Sequence, residues 1–223
     1  TALGRLAAEK NTTGAFNTAL GSEALLNNTT ASSNTAVGYQ AGYTNTTGNY
    51  NVGIGYNSLY TNTSQGNIGI GSFTLQANST GTGNIALGTY DASANTGALF
   101  ANTTGNYNNA MGVRALTANT TGASNVAIGQ FSLDANTTGG NNTAVGKDAL
   151  GQNTTGNTNV AVGYDALANV TTGIQQVAIG ANAGASATTS EKNTFVGTSA
   201  GRYVTSNRSN VCIGNEAGAG SGN

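Results

Sequence analysis

The stretch Asn142-Thr143-Ala144-Val145-Gly146-Lys147-Asp148-Ala149-Leu150-Gly151-Gln152-Asn153-Thr154-Thr155-Gly156-Asn157-Thr158 is followed at once by Asn159-Val160-Ala161-Val162-Gly163-Tyr164-Asp165-Ala166-Leu167. The second phrase restarts the first after 17 residues. Each begins with Asn, an apolar-or-Thr residue, Ala, an aliphatic residue and Gly. Next comes Ala-Leu, then Asn-Thr-Thr-Gly. Self-similarity at a short fixed period marks a chain built by stacking one unit on the next.

Extended outward, the aliphatic column reads Leu3, Leu20, Val37, Ile54, Ile70, Leu87, Met111, Ile128, Val145, Val162, Ile179, Val196 and Ile213, each followed by glycine. The step is 17 residues except between Ile54 and Ile70, where it is 16, and between Leu87 and Met111, where it is 24. The long step reads as a seven-residue insertion near 91–97, because Ala98-Leu99 resumes the pattern. One repeat domain therefore fills residues 1–223. Both ends fall in mid-repeat, so the chain reads as a segment of a longer fibrous protein.

A unit this short cannot hold two helices and a turn, and glycine at fixed places disfavours helix interiors. Alternation with β-branched residues predicts a strand of about five residues in the first phrase. Ala-Leu reads as a second short strand. Asn-Thr-Thr-Gly reads as a turn, with Gly free to take positive φ. The expected fold is all-β: a parallel β-solenoid, or β-roll, of about thirteen coils, in register at about 4.8 Å. Asparagines stacked in this way should form ladders. The glycine after the aliphatic residue should mark a corner that admits no Cβ. The strand phrase carries no charge on either face, so one face is free to pack on another copy. Close association with another copy, closed by cyclic symmetry, is the expectation.

Composition excludes several classes of function. Charged residues make up 7% of the chain and the net charge is -1, so a counterion-displacing nucleic-acid surface is not expected. No run of apolar residues is long enough for a membrane helix, and no basic-then-apolar leader stands at the start. There is no histidine, and the single Cys212 has no partner base. It stands where most coils carry Ala or Gly and reads as a small packed side chain. Asp148 and Asp165 share a column beside Lys147, but two surface acids read as solvated side chains rather than as a catalytic pair. The eight acids form no regular column, so neither a metal nor a cofactor is expected, and the chain reads as a non-enzyme.

Two sets of residues are candidate sites. Tyr39 and Tyr56 share one column and Tyr43 and Tyr60 another. Stacked, they would form an aromatic patch able to bind sugar rings or a protein, or else simply to brace neighbouring coils. Asn11, Asn28, Asn45, Asn62, Asn78, Asn102, Asn119, Asn136 and Asn153 match the glycosylation acceptor pattern, with Asn169 in a shifted register. Glycans there would coat one edge of the rod. The alternative is turn chemistry with an Asn or Thr ladder. An ice-binding threonine face is a weaker reading, since the paired threonines are adjacent and should point in different directions.

The recurring Asn-Thr-Ala-Val-Gly, as at 34–38 and 142–146, resembles the head repeats of trimeric autotransporter adhesins over almost the entire chain. The longer unit with Ala-Leu and Asn-Thr-Thr-Gly is also similar to bacteriophage tail-fibre repeats. The resemblance implies a left-handed parallel β-roll, three chains side by side, and an extracellular, cell-surface or virion location. It implies attachment to a host, matrix or receptor, or else a structural shaft with no ligand site in this segment. The unit is three residues longer than is usual in those heads, and no heptad stalk, neck or membrane-anchoring strand is present in this stretch. Among the coils, the 91–97 insertion is the place where a ligand would be met.

Overall fold

The computed structural model describes residues 1–218. Thirteen short strands stack along one axis: β1 (Ala2–Leu3), β2 (Thr18–Leu20), β3 (Thr35–Val37), β4 (Val52–Ile54), β5 (Ile68–Ile70), β6 (Ile85–Leu87), β7 (Asn109–Met111), β8 (Val126–Ile128), β9 (Thr143–Val145), β10 (Val160–Val162), β11 (Val177–Ile179), β12 (Thr194–Val196) and β13 (Val211–Ile213). They form one parallel sheet in sequence order. The register pairs each residue with its repeat equivalent, as Val160 with Thr143 and Val177. The fold is the all-β parallel solenoid that the period implied, and the described residues contain no helix.

The strands are three residues long, two in β1, rather than five. From β3 to β12 the asparagine before the strand, replaced by Gln176 before β11, turns inward, and the glycine after the strand turns the corner. Ala-Leu is not a second strand. Its leucine sits in the left-handed region, as Leu150 at φ 51° and Leu167 at φ 50°. Left-handed backbone at a non-glycine residue costs about 1–2 kcal/mol. Three columns of each coil adopt it, those of Asp148, Leu150 and Thr158 among them. Bonds between coils hold them there: Asp148 N–H donates to Gln130 O at 3.0 Å, Leu150 N–H to Ala166 O at 3.0 Å and Thr158 N–H to Gly140 O at 3.1 Å. The turn backbone alternates between such bonds to the neighbouring coil and bonds within its own, as Gly151 N–H to Asp148 O at 3.1 Å and Asn153 N–H to Leu150 O at 3.0 Å.

The two glycine columns have different causes. Gly146, at the strand exit, has φ 137°, and a Cβ there would also strike the backbone of Gly163. The Asn-Thr-Thr glycine was expected to supply a positive φ. Gly139 has none; a Cβ there would lie 2.5 Å from Asn136 Oδ1 and against the carbonyl of Gly156. Close approach of the next coil, not φ, favours glycine at that turn, although Ala31, Ser64 and Ser190 stand in the same column.

The core is a narrow cylinder. The middle strand residue, such as Ala144 or Ala161, points inward with Ala149, Leu150, Ala166 and Leu167, all fully buried. The first and third strand residues point outward. Aliphatic burial per coil is therefore small, and two asparagine ladders complete the interior. In the first, Asn136 Nδ2 donates to Asn119 Oδ1 at 2.7 Å and to Gly139 O at 3.0 Å. In the second, Asn142 N–H donates to Asn125 Oδ1 at 3.0 Å, while Asn142 Nδ2 reaches Gly156 O at 2.8 Å.

Candidate functional surface

The described residues hold no cluster of His, Cys, Asp or Glu able to bind a metal ion. Among the described residues, no helix is long and apolar enough to cross a membrane. The surface divides into a sheet face, a shoulder just after the strand, and two turn edges.

The sheet face carries the third strand residues in an unbroken apolar column. Leu20, Ile54, Ile70, Met111, Ile128 and Ile179 are exposed, and Val145, Val162 and Val196 are half-buried. The first strand residues add a parallel column of Thr and aliphatic side chains, among them Val52, Ile68, Val126, Val160 and Val177. Asn109 is the polar exception among the larger side chains. No charged side chain stands in either column.

The shoulder carries the tyrosines. Tyr39 stacks on Tyr56 with ring centroids 5.2 Å apart, and Tyr43 stacks on Tyr60 at 5.0 Å with planes 8° apart. The first stack continues where the sequence columns did not indicate it, through Phe73, edge-on to Tyr56 at 5.2 Å, to Tyr90, tilted at 5.2 Å. Phe73 and Tyr90 lie two residues after their glycines rather than one; only the fold shows that their rings fall in line. The result is an aromatic ladder over four coils, half-exposed along its length. Desolvation in the ladder, and then Glu23 nearby, raises the Tyr39 phenol above its ordinary pKa. Further along, Arg114 covers Phe131 at 5.3 Å and Lys147 covers Tyr164 at 5.5 Å.

The insertion is a small hairpin. Asp91 and Thr96 pair as an antiparallel bridge, and Asp91 Oδ1 accepts from Ser93 N–H at 2.9 Å and from its hydroxyl at 2.6 Å. Those bonds hold the Asp91 carboxyl below the usual range. Tyr90 Oη donates to Asn95 Oδ1 at 2.8 Å, tying the hairpin to the aromatic ladder. Arg114 lies 4.0 Å from Asp91 and 2.8 Å from Asp134. Residues 92–95 project into solvent.

The glycan reading of the turn is corrected by burial. Asn28, Asn45, Asn62, Asn78, Asn102, Asn119, Asn136 and Asn153 are at most 1% exposed. They form the first inner ladder, and their Nδ2 groups are spent on it; a glycan on that nitrogen has no path to solvent. Asn11, in the first coil, is exposed, with Nδ2 on Gly14 O at 2.9 Å. In each turn the Asn points in. The first Thr is half-buried and donates to the next coil, as Thr137 Oγ1 to Thr154 O at 3.0 Å, and the second faces solvent. Of the paired acids, Asp148 is held by Lys147 at 3.1 Å. Cys212 follows Phe195 in the middle strand column and is partly buried, with its Sγ over Gly218.

One recess went unremarked in the sequence. The column just before the inward asparagine holds Tyr50, Gly66, Gly83 and Tyr107 in consecutive coils. Tyr50 and Tyr107 are 69% and 64% exposed, and an open cleft of about 290 Å³ lies between them. Two consecutive glycines in that column, Gly66 of the short coil and Gly83 of the next, were its only trace in the sequence. No family model, curated protein or solved structure matches the chain.

Proposed function

We propose that the chain is a rigid rod from an extracellular fibre, adhesin-like in design, that associates through its sheet face as a trimer and presents its remaining surface for attachment to a host, matrix or receptor. The observation that carries this reading is the apolar sheet face. Thirteen apolar side chains in one column and seven in the other stand on it without charge. At about 1 kcal/mol for each half-exposed aliphatic group covered, their burial exceeds the roughly 4–15 kcal/mol that association costs. A contiguous apolar strip of this length on a monomer is itself unusual. The resemblance of the repeats to adhesin heads supports three copies and an external location.

A plain structural shaft is the second reading. It is favoured by the coils between β7 and β10, whose turns all carry Asn-Thr-Thr-Gly. The test has two arms. Sedimentation at micromolar concentration should give three times the 22.0 kDa chain mass; a monomer overturns the association. Adsorption of the labelled rod to intact cells and to purified matrix should fall when residues 91–97 are deleted. Undiminished adsorption would remove the insertion from the binding surface, and absence of adsorption in the parent rod would favour the shaft.

A further inference from the structure

We infer that the cleft between Tyr50 and Tyr107 is a binding site for a single neutral pyranose ring. The column that forms it is occupied elsewhere by Phe16, Ser33, Ser124, Asn141, Thr158, Gln175, Lys192 and Ser209. Two glycines stand in it, consecutive, and a tyrosine flanks each side. The cleft coincides with the irregular part of the repeat: Gly66 closes the coil that is one residue short, and Tyr107 closes the coil that carries the insertion.

The space fits one ring. Three coil steps of about 4.8 Å separate the tyrosine backbones by about 14 Å. Tyr107 leans back over Gly83, with Cδ1 and Cε1 2.8 and 2.9 Å from where a Cβ would be. Gly66 is uncovered, since a Cβ there would meet nothing nearer than Gly83 N at 4.0 Å. What stays open above Gly66 is about two steps wide, or about 9–10 Å. A saturated ring with van der Waals contact of about 3.5–4.0 Å on either side needs about 7–8 Å.

The lining selects the chemistry. Tyr50, Gln65, Gly66, Thr82, Gly83 and Tyr107 bear no charge, so nothing favours an anionic or cationic ligand. Tyrosine offers an apolar face for the C–H side of a sugar and a hydroxyl for its rim. Gln65 is exposed and its amide is free to bond. The Thr82 hydroxyl donates to Asn106 Oδ1 at 3.0 Å and retains acceptor capacity. Walls that are largely apolar, with a few placed polar groups, are what small-ligand clefts share.

Saturation-transfer NMR on the whole chain tests this, with methyl β-glucopyranoside, methyl β-galactopyranoside and methyl α-mannopyranoside as probes and cyclohexanol as the apolar control. At least one glycoside should bind with millimolar affinity through its C–H face. The Y50A and Y107A variants should each weaken it tenfold or more. The G66Y variant should abolish it while keeping its strand circular dichroism, because the column already carries Tyr50 at φ 60° and Tyr107 at φ 56°. Binding of no glycoside, binding of cyclohexanol as tight as any glycoside, or binding unchanged in folded G66Y would each overturn the proposal.

Discussion

The ring of Phe195 occupies the place where side chains at Gly184 and Gly201 would otherwise sit. A Cβ at Gly184 would lie 2.6 Å from its Cδ2, and a Cβ at Gly201 would overlap its Cδ1 and Cε1. Both glycines stand in the column that is leucine from Leu59 to Leu167. Phe195 stands in the column that is mostly alanine and is fully buried. Two coils have exchanged an alanine and two leucines for one phenylalanine and two glycines, so that a single ring fills most of the space of three side chains.

F195A alone should therefore lose about 3–5 kcal/mol, as a large cavity opens. G201L alone should overpack and lose at least about 1–3 kcal/mol. The triple variant F195A/G184L/G201L rebuilds an ordinary coil, with the Leu167 methyl swinging back to make room. It should return to within about 1–2 kcal/mol of the parent, since Leu in this left-handed column is tolerated at some backbone cost in the coils below. Urea unfolding of the three variants measures the coupling. Additive losses in the triple variant would refute the exchange.

The first asparagine ladder ends at Asn153. Its Nδ2 donates to Asn136 Oδ1 at 2.9 Å, but Val170 stands on the next rung and leaves Asn153 Oδ1 buried without a partner. Gln176 Nε2 is also buried and unpartnered, 2.6 Å from the Cβ position of Gly173, which in regular coils lies against the ladder oxygen. V170N should supply a donor to the first orphan and an acceptor to the second. Each satisfied group returns about 1–3 kcal/mol, less the lost burial of valine. A net gain of about 1–2 kcal/mol is expected, read as a higher urea midpoint. N119A, in mid-ladder, should go the other way by about 2–3 kcal/mol, because it strips the donor from Asn102 Oδ1.

These ladders mark how far the sequence could be read. The period, the parallel register and the strand-exit glycines follow from columns such as Val145-Gly146 and Val162-Gly163, because identical residues can stack only one way in register. The tilt of individual side chains does not follow. Asn-Thr-Thr-Gly is equally a surface sequon and a buried ladder, and the choice rests on the asparagine side-chain oxygen one coil back, as Asn119 Oδ1 for Asn136, that no linear pattern displays. Leu150 at positive φ was hidden for the same reason, since its backbone partner, Ala166 O, belongs to another coil. The ring stack lost Phe73 and Tyr90 to a one-residue offset, and the Tyr50–Tyr107 cleft lay in a column that is mostly polar.

The insertion should respond to acid in two opposed steps. Burial raises the Asp134 carboxyl above 3.8, against the pull of Arg114. Its ionised form is thus disfavoured in the fold, a penalty present above its folded pKa and relieved as pH falls through it. Asp91 is lowered below 3.8, chiefly by the Ser93 hydroxyl. Its contribution is full above the unfolded value and is lost as pH falls through the folded one. Thermal melts should thus show a shallow rise in stability on acidification toward about pH 4, then a fall. D134N should lack the rise, and D91N should soften the fall. Identical profiles for parent and D134N would show that Asp134 is not the group responsible.

The sheet face gives the sharpest separation of folding from association. Ile128 points outward from β8, 40% exposed, and Val145 lies directly beside it on β9. Lysine at either position extends from an uncovered sheet without disturbing the inward Ala127 and Ala144, so the coil should fold as before. In a trimer packed through this face the same ammonium would be buried without a partner, at several kcal/mol per copy. I128K and V145K should therefore sediment as single chains of 22.0 kDa with unchanged strand circular dichroism. T138K, on the solvent side of its turn, should leave the assembly intact. Trimers that persist in both face variants would place the contact elsewhere on the rod. Lysine variants that fail to fold would mean that the outward strand residues support the coil itself.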